Sequence, residues 1–214
     1  MKLILLPAIL CLAIPVAPVA AQAAYPQTIT VIQGVLVGEL LAHARYVAYA
    51  ARAREEKYPH IASLALALAA SEGVHARNFE QILNELGAPA DTQSPVVPVF
   101  DTKTNLKNAS TAELDEIDNR YPRFIRQITP ENYPAAISDL THAWKAEKQH
   151  RDLITQLIQG SGILFGVLAR TIEGTPVDYF ICDRCGSTLP ELPKDSCPIC
   201  GGPVSAYRKV DTGT

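Results

Sequence analysis

The sequence predicts a mainly α chain: a four-helix bundle around a two-metal centre, followed by a small domain built on two cysteine knuckles. Three observations predict it. Four long segments with apolar residues at helical spacing lie between residues 28 and 160, arranged as two pairs. Each pair repeats the same polar residues: Glu39 and Glu72-Gly-Val-His75 in the first, Glu113 and Glu147-Lys-Gln-His150 in the second. A Glu and a His three apart share one side of a helix. Two such pairs, with a lone Glu on each of two further helices, form the ligand set that places two metal ions inside a bundle. Finally, Cys182-Asp-Arg-Cys185 and Cys197-Pro-Ile-Cys200 supply four thiolates for one more ion.

Residues 1–23 read as a secretory signal. Lys2 gives a positive start, Leu3 to Ala20 is apolar, and Ala21-Gln22-Ala23 offers a small-x-small cleavage site. Pro7, Pro15 and Pro18 argue against a stable spanning helix, which leaves an uncleaved anchor as the second reading. No twin-Arg pair is present, and Cys11 falls in the discarded run. The expectation is an exported, periplasmic protein with no membrane attachment after cleavage. A net charge of −3 without a Lys or Arg run gives no basis for a nucleic-acid partner. The length of 214 residues suits one bundle and one small appended domain.

The first helix is expected over 28–54, with Val31, Val35, Leu40, Leu41, Tyr46 and Val47 recurring at helical spacing. Glu55 to Tyr58 turn the chain, and Pro59 suits the start of a second helix that stops at Gly87. Residues 88–108, with Pro89, Pro95 and Pro98, read as the long crossover that ferritin-like folds require. Ser110 or Thr111 is the expected cap of a third helix running to about Gln127. Pro130 and Pro134 mark the next turn, and a fourth helix is expected from Tyr133 to Gln159. The bundle thus occupies 24–160, a connecting segment 161–176, and the knuckle domain 177–214. Val177 to Ile181 reads as a strand entering the first knuckle, and Pro203 to Lys209 as a return strand.

A single Glu-x-x-His is ordinarily a solvated face, as Glu55 and Glu56 are expected to be. The paired motif sits differently. Leu64, Leu66, Leu68, Phe79 and Ile82 flank Glu72 and His75, while Val35, Leu40 and Leu41 flank Glu39. Several carboxylates buried together are untenable without cations. Carboxylate and imidazole ligands suit iron or manganese. Glu72 and Glu147 are the expected bridges, with Glu39 and Glu113 as terminal ligands. Glu116 lies one turn from Glu113 and reads equally as an extra ligand or as a surface acid. Tyr46 and Tyr121 read equally as donors to the ligand carboxylates or as core packing. His43 and His60 fit no repeat and are expected on the surface. In an oxidising compartment the four cysteines could form two disulfides. Cys185-Gly186 and Cys200-Gly201-Gly202 favour metal, because glycines let backbone amides curl toward sulfur.

Taken together, Gly38-Glu39-x5-Arg45-Tyr46, Glu72-x-x-His75-Ala76, Glu113-x-x-Glu116, Tyr121-Pro122 and Glu147-x-x-His150, followed by the knuckles, make a sequence that resembles rubrerythrin. The resemblance covers nearly all of the chain after residue 23. It implies a ferritin-like bundle with a C-terminal rubredoxin-like domain. It also implies a non-haem di-iron peroxidase that reduces hydrogen peroxide to water, with electrons entering through a tetrathiolate iron at Cys182, Cys185, Cys197 and Cys200. By the same resemblance Glu116 is a ligand, one iron moves between His75 and Glu116 with redox state, and Tyr46 and Tyr121 hydrogen-bond ligands. Zinc accepts the same four sulfurs, so a structural zinc knuckle on a ferroxidase or iron-storage protein is the alternative. Outside the cytoplasm the electron donor is expected to be a cytochrome or another small redox protein. Helices of about 27 residues are roughly 40 Å long, so a mid-helix site lies far from a knuckle hung on the last helix. That distance leads to the expectation of a head-to-tail homodimer, with the knuckles of one copy beside the di-iron site of the other.

Overall fold

The computed structural model describes residues 24–93, 95–158 and 178–211. The proposed signal segment 1–23 and connecting segment 161–176 lie outside them. The protein is mainly helical: a ferritin-like bundle of four rods, with a small knuckle domain against its side. The first rod is α1 (Pro26–Glu55) and the second is α2 (Pro59–Glu85). The third is composite: α3 (Thr102–Asp115), one π-helical turn (Glu116–Arg120) and α4 (Tyr121–Ile128). The fourth is α5 (Pro134–Ile158). Among the described residues, no helix is long and apolar enough to cross a membrane.

Local chemistry sets each boundary. Proline stands in the first turn of α1 and α2, where its missing N–H is no loss. The orphan N–H groups of Gln27 and Thr28 donate to the Glu131 carboxylate, both at 2.7 Å, so the far turn caps α1. Gly87, at φ 65°, ends α2 in the left-handed conformation, with Ala88 N–H donating to Leu83 C=O at 2.8 Å. The third helix starts earlier than the expected Ser110 or Thr111. Asp101 accepts from Thr104 N–H at 2.9 Å and from its hydroxyl at 2.7 Å, a cap just past the prolines. The crossover shortens accordingly, and Glu56 ties it down by accepting from Thr102 N–H at 2.9 Å.

Pro122 accounts for the π turn. Within a continuing helix it has no N–H to give, and its ring crowds the carbonyl one turn back. The ladder widens there, and Tyr121 N–H donates to Glu116 C=O, five residues earlier. Glu116, Arg120 and Tyr121 are thereby rotated relative to a regular helix.

Two of the bundle's apolar clusters flank the polar layer. One centres on Ile32, Leu36, Phe79, Leu83, Tyr121, Ile128 and Leu140, the other on Tyr46, Leu64, Leu68 and Ile154. Fully burying a side chain such as Phe79 stabilises by about 1.5–3 kcal/mol. The polar layer falls between the clusters on each rod: Glu39 follows Leu36, Glu72 and His75 separate Leu68 from Phe79, and Glu147 and His150 precede Ile154. Tyr179, Ile181 and Val210 of the knuckle domain join the second cluster, which seats that domain on α2.

The knuckle domain has three short antiparallel strands in the order β2-β1-β3: β1 (Phe180–Cys182), β2 (Thr188–Leu189) and β3 (Tyr207–Lys209). Ile181 pairs with Thr188 on one side and Arg208 on the other, and Cys182 with Tyr207. The two strands expected from sequence are shorter than anticipated, and Thr188–Leu189 is an additional one.

Candidate metal centre

Glu39, Glu72, His75, Glu113, Glu147 and His150 are each 4% exposed or less, although every one is ionisable. Their ligand atoms form two overlapping groups in which all atoms lie within 4.8 Å of one another: Glu39, Glu72, His75 and Glu147, then Glu72, Glu113, Glu147 and His150. Glu72 and Glu147 belong to both groups, which is the geometry a pair of bridging carboxylates needs. His75 Nδ1 lies 3.1 Å from Glu72, 3.3 Å from Glu39 and 3.3 Å from Glu147. His150 Nδ1 lies 2.9 Å from Glu147 and 3.3 Å from Glu72.

Each terminal carboxylate is held by a buried phenol. Tyr46 donates to Glu113, and Tyr121 donates to Glu39. The donors cross over, because Tyr46 shares α1 with Glu39 but reaches the third rod. These contacts leave each of Glu39 and Glu113 with a second oxygen directed at the cluster. Glu113 Oε2 and Glu147 Oε1 are buried and accept no hydrogen bond. Unsatisfied carboxylate oxygens this deep are what a cation would satisfy, so the residues present fit two metal ions.

Electrostatics agree. Burial pushes Glu39 up to about 7 and Glu113 well above the usual carboxylate range, with like charges of Glu72 and Glu147 adding to both. Burial also opposes ionisation of Glu72 and Glu147, but the His150 and His75 imidazoles outweigh it and hold both low. The same contacts overcome burial at the imidazoles, raising His150 to about 9 and His75 well above its ordinary value.

Glu116 belongs to neither group. It sits at the edge, and Arg120 Nη1 donates to its Oε1 at 2.9 Å. Burial and the charges of Glu147, Glu39 and Glu72 raise its carboxyl, while Arg120 opposes them. His43, expected on the surface, is half-buried and hydrogen-bonds Ala69 C=O through Nδ1 at 2.7 Å.

The four cysteines are free thiols gathered into one cluster. Cys182 and Cys200 sulfurs are 3.9 Å apart, Cys185 and Cys197 sulfurs 3.5 Å. Sulfurs about 2.3 Å from a common ion at tetrahedral angles would be roughly 3.8 Å apart, so the cage fits a metal. Gly186 and Gly201 follow the two knuckles at φ 76° and 67°, which turns the chain around the cage. Tyr207 donates to Cys197 sulfur at 3.2 Å. The Cys185 thiol and the amides of Arg184 and Cys185 draw Cys182 down to about 5, against burial.

The knuckles do not lie far from the carboxylate cluster within one chain, and this corrects the distance argument for a head-to-tail dimer. Ser71, one residue before Glu72, donates to Gly186 C=O at 2.6 Å. Gln149, one residue before His150, accepts from Thr188 N–H at 3.0 Å and from the Ser187 hydroxyl at 3.1 Å. Thr188 donates to Gly186 C=O at 3.0 Å, leaving its oxygen 3.3 Å from His150 Nε2 to accept from that ring. A methyl group on Gly186 would lie 2.7 Å from Ser71 Oγ and would collide with His75. The half-bundle separation holds only along the axis of the last helix. The domain instead folds back onto the side of α2 and α5. Ser71, Gln149, Gly186 and Thr188 carry no pattern of their own in the sequence. Only their adjacency to Glu72, His150 and Cys185 marks them.

The fold and the two clusters define a class: a ferritin-like protein with a carboxylate–histidine site for two metals and a rubredoxin-like site of four thiolates. Comparison with known proteins agrees. The rubrerythrin family model matches residues 35–158. The chain is 31% identical to rubrerythrin-2 of Clostridium acetobutylicum over 77% of this chain and 86% of that one. It is 32% identical to rubrerythrin of Clostridium perfringens over 81% of this chain and 88% of that one. Nigerythrin in its fully reduced, all-ferrous state has a similar structure, with a TM-score of 0.73 and 26% identity over 85% of this chain and 86% of that one. The chain belongs to the rubrerythrin family. Members of that family are generally oxidative-stress proteins that bind a di-iron pair and a four-cysteine site.

Proposed function

We propose that this protein is a non-haem di-iron peroxidase that reduces hydrogen peroxide to water with electrons relayed through iron at the four cysteines. The observation that carries this reading is the seam between the two clusters. Gly186 follows Cys185, its carbonyl accepts from Ser71 and Thr188, and Thr188 stands against His150. A storage protein with a purely structural knuckle has no use for that connection.

In this reading Glu39, Glu72, His75, Glu113, Glu147 and His150 hold the iron pair. When bound, the pair supplies the two electrons that break the O–O bond, and two protons complete two waters. The chain's own residues prepare the site. Tyr121 and Tyr46 fix the rotamers of Glu39 and Glu113, and the apolar clusters above and below exclude water. Thr188 accepts from His150 Nε2, which leaves Nδ1 as the atom that would hold a metal. In this reading Glu116 is a redox-dependent ligand that exchanges with His75; its carboxylate accepts from Arg120. Export to the periplasm rests on residues 1–23 alone.

Anaerobic reconstitution with iron tests the proposal. We expect three irons per chain, the visible absorption of a ferric tetrathiolate, and re-oxidation of that iron by stoichiometric peroxide. Glu116→Ala should keep both bundle irons and lose most turnover. Zinc at the cysteines of the active protein, or bundle irons that react with peroxide while the thiolate iron stays reduced, would defeat the proposal.

A further inference from the structure

Arg120 makes contacts that the metal ligands do not explain. The π turn brings it over Glu116, and Nη1 donates to the Glu116 carboxylate at 2.9 Å. Its guanidinium lies across α1 at Gly38, where an added methyl would sit 3.2 Å from Nη2. The guanidinium carbon is also 5.9 Å from the centre of the Phe124 ring. Glycine beneath, an aromatic face beside and a carboxylate ahead define one position for this side chain.

The pair lines a cavity of about 10 Å³ together with Val35, Gly38, Glu39, Tyr121 and Phe124. Such a space admits roughly one water-sized guest. Glu39 lines it from the buried cluster, while the side chains of the Arg120–Glu116 pair are more exposed. The observed partner of Glu116 is the guanidinium, and a metal held in the neighbouring cluster would compete for the same carboxylate. The Glu116 side chain is 13% exposed and that of Arg120 33%, and the contact is a single hydrogen bond rather than a bidentate fork. A bond of this kind is strong enough to hold a rotamer and weak enough to be exchanged.

We propose that Arg120 is a positioning residue that holds Glu116 out of the metal cluster in the reduced state and releases it on oxidation. The inference rests on the reading of Glu116 as a redox-dependent ligand. Carboxylate ligation favours the ferric ion more than the ferrous one. Any group that competes for the carboxylate therefore favours the reduced pair and raises its potential. Gly38 gives the guanidinium its close approach to α1, since a methyl there would press it at 3.2 Å.

The test uses the full chain loaded with iron, as Arg120→Met, Arg120→Lys and Arg123→Met. Arg123 is the control. Its guanidinium carbon is 5.3 Å from the same ring, so its loss removes a nearby charge. Crystal structures of the reduced proteins and midpoint potentials of the bundle irons are the readouts. We expect Glu116 on Arg120 in the reduced wild type and on metal in reduced Arg120→Met, with both irons retained. A tenfold change in preference lowers the one-electron potential by about 59 mV. Arg120→Lys should recover part of that shift, and Arg123→Met should leave it near wild type. Glu116 staying off the metal in reduced Arg120→Met overturns the role of Arg120, as does an equal shift in Arg123→Met. If oxidised wild type also keeps Glu116 off the metal, the exchange itself fails. If oxidised wild type shows the exchange while Arg120→Met behaves as wild type, only the Arg120 inference fails.

Discussion

Metal removal should turn the bundle centre into a proton store whose stability falls as pH rises. Six ionisable side chains remain in a dry layer, and their shifts sort them into a neutral set. His75 and His150 are raised and hold their protons, Glu72 and Glu147 are lowered and stay ionised, and Glu39 and Glu113 are raised and stay neutral. Two positive and two negative charges then cancel. Two divalent ions require both imidazoles neutral and all four carboxylates ionised, so loading at pH 6 should expel about four protons per pair. For stability the direction follows from which state keeps its proton. Glu39 titrates at an ordinary 4.5 when unfolded and at about 7 when folded. Between those values the folded chain binds more protons, so stability is lost as pH rises. At 1.36 kcal/mol per unit this is about 3 kcal/mol by neutral pH. His150, raised from 6.5 to about 9, adds stability that is complete below pH 6.5 and lost as pH passes 9. Below pH 4.5 the unfolded chain takes up protons on Glu72 and Glu147 that the folded chain does not, which works the other way, so the metal-free optimum falls near pH 4.5. A loss of ~3 kcal/mol corresponds to roughly 6–12 °C for a chain of this size. Chelated protein scanned by calorimetry from pH 5 to 7 should show that fall, and a further fall from there to pH 9 as His150 loses its proton. Iron-loaded protein should not, because coordination fixes the protonation states. A metal-free melting temperature that is level or rising from pH 6 to 9, or fewer than about two protons released per pair at pH 6, would refute this account of the pocket.

Three further outcomes follow from the same contacts. Tyr121→Phe removes the donor to Glu39 and should weaken metal binding by about 1.5–3 kcal/mol, the range for a hydrogen bond to a charged group, read by ferrous titration; unchanged affinity would mean that the phenol only packs. Gly186→Ala adds a methyl against His75 and Ser71 at φ 76°, so it should displace the knuckle domain and slow electron delivery at least tenfold while iron content stays at three per chain; stopped-flow reduction of the bundle irons checks it. Mixing Cys182→Ser/Cys185→Ser chains with Glu72→Ala/Glu147→Ala chains should restore no activity, because each knuckle seats on its own bundle. Recovery would show instead that two copies exchange knuckles across the same seam, as in the head-to-tail dimer.

Much of this protein is determined by the sequence alone, for local reasons. Helical spacing of apolar residues, proline at helix starts and Gly87 at a helix end are decided within a few residues of chain. The ligand types are decided there too: Glu72 with His75, and Glu147 with His150, face one way because they are one turn apart. The four cysteines and the glycines after them likewise carry their chemistry in their spacing. What the tertiary structure decided depends on long-range contacts that leave no local mark. The start of the third helix is held from another rod, where Glu56 accepts from Thr102 N–H; the Asp101 cap beside it is local. Pro122 widens the third rod into a π turn, and only that rotation, together with a glycine on α1, sets Arg120 against Glu116. The reach of Tyr46 to Glu113 and of Tyr121 to Glu39 joins residues on opposite rods. The knuckles stand beside the carboxylate cluster because Ser71 and Gln149 offer hydrogen bonds on two neighbouring helices, and an apolar strand edge buries against the bundle between them. Such pairings are chosen by the packing of whole elements, which residue spacing along the chain does not encode.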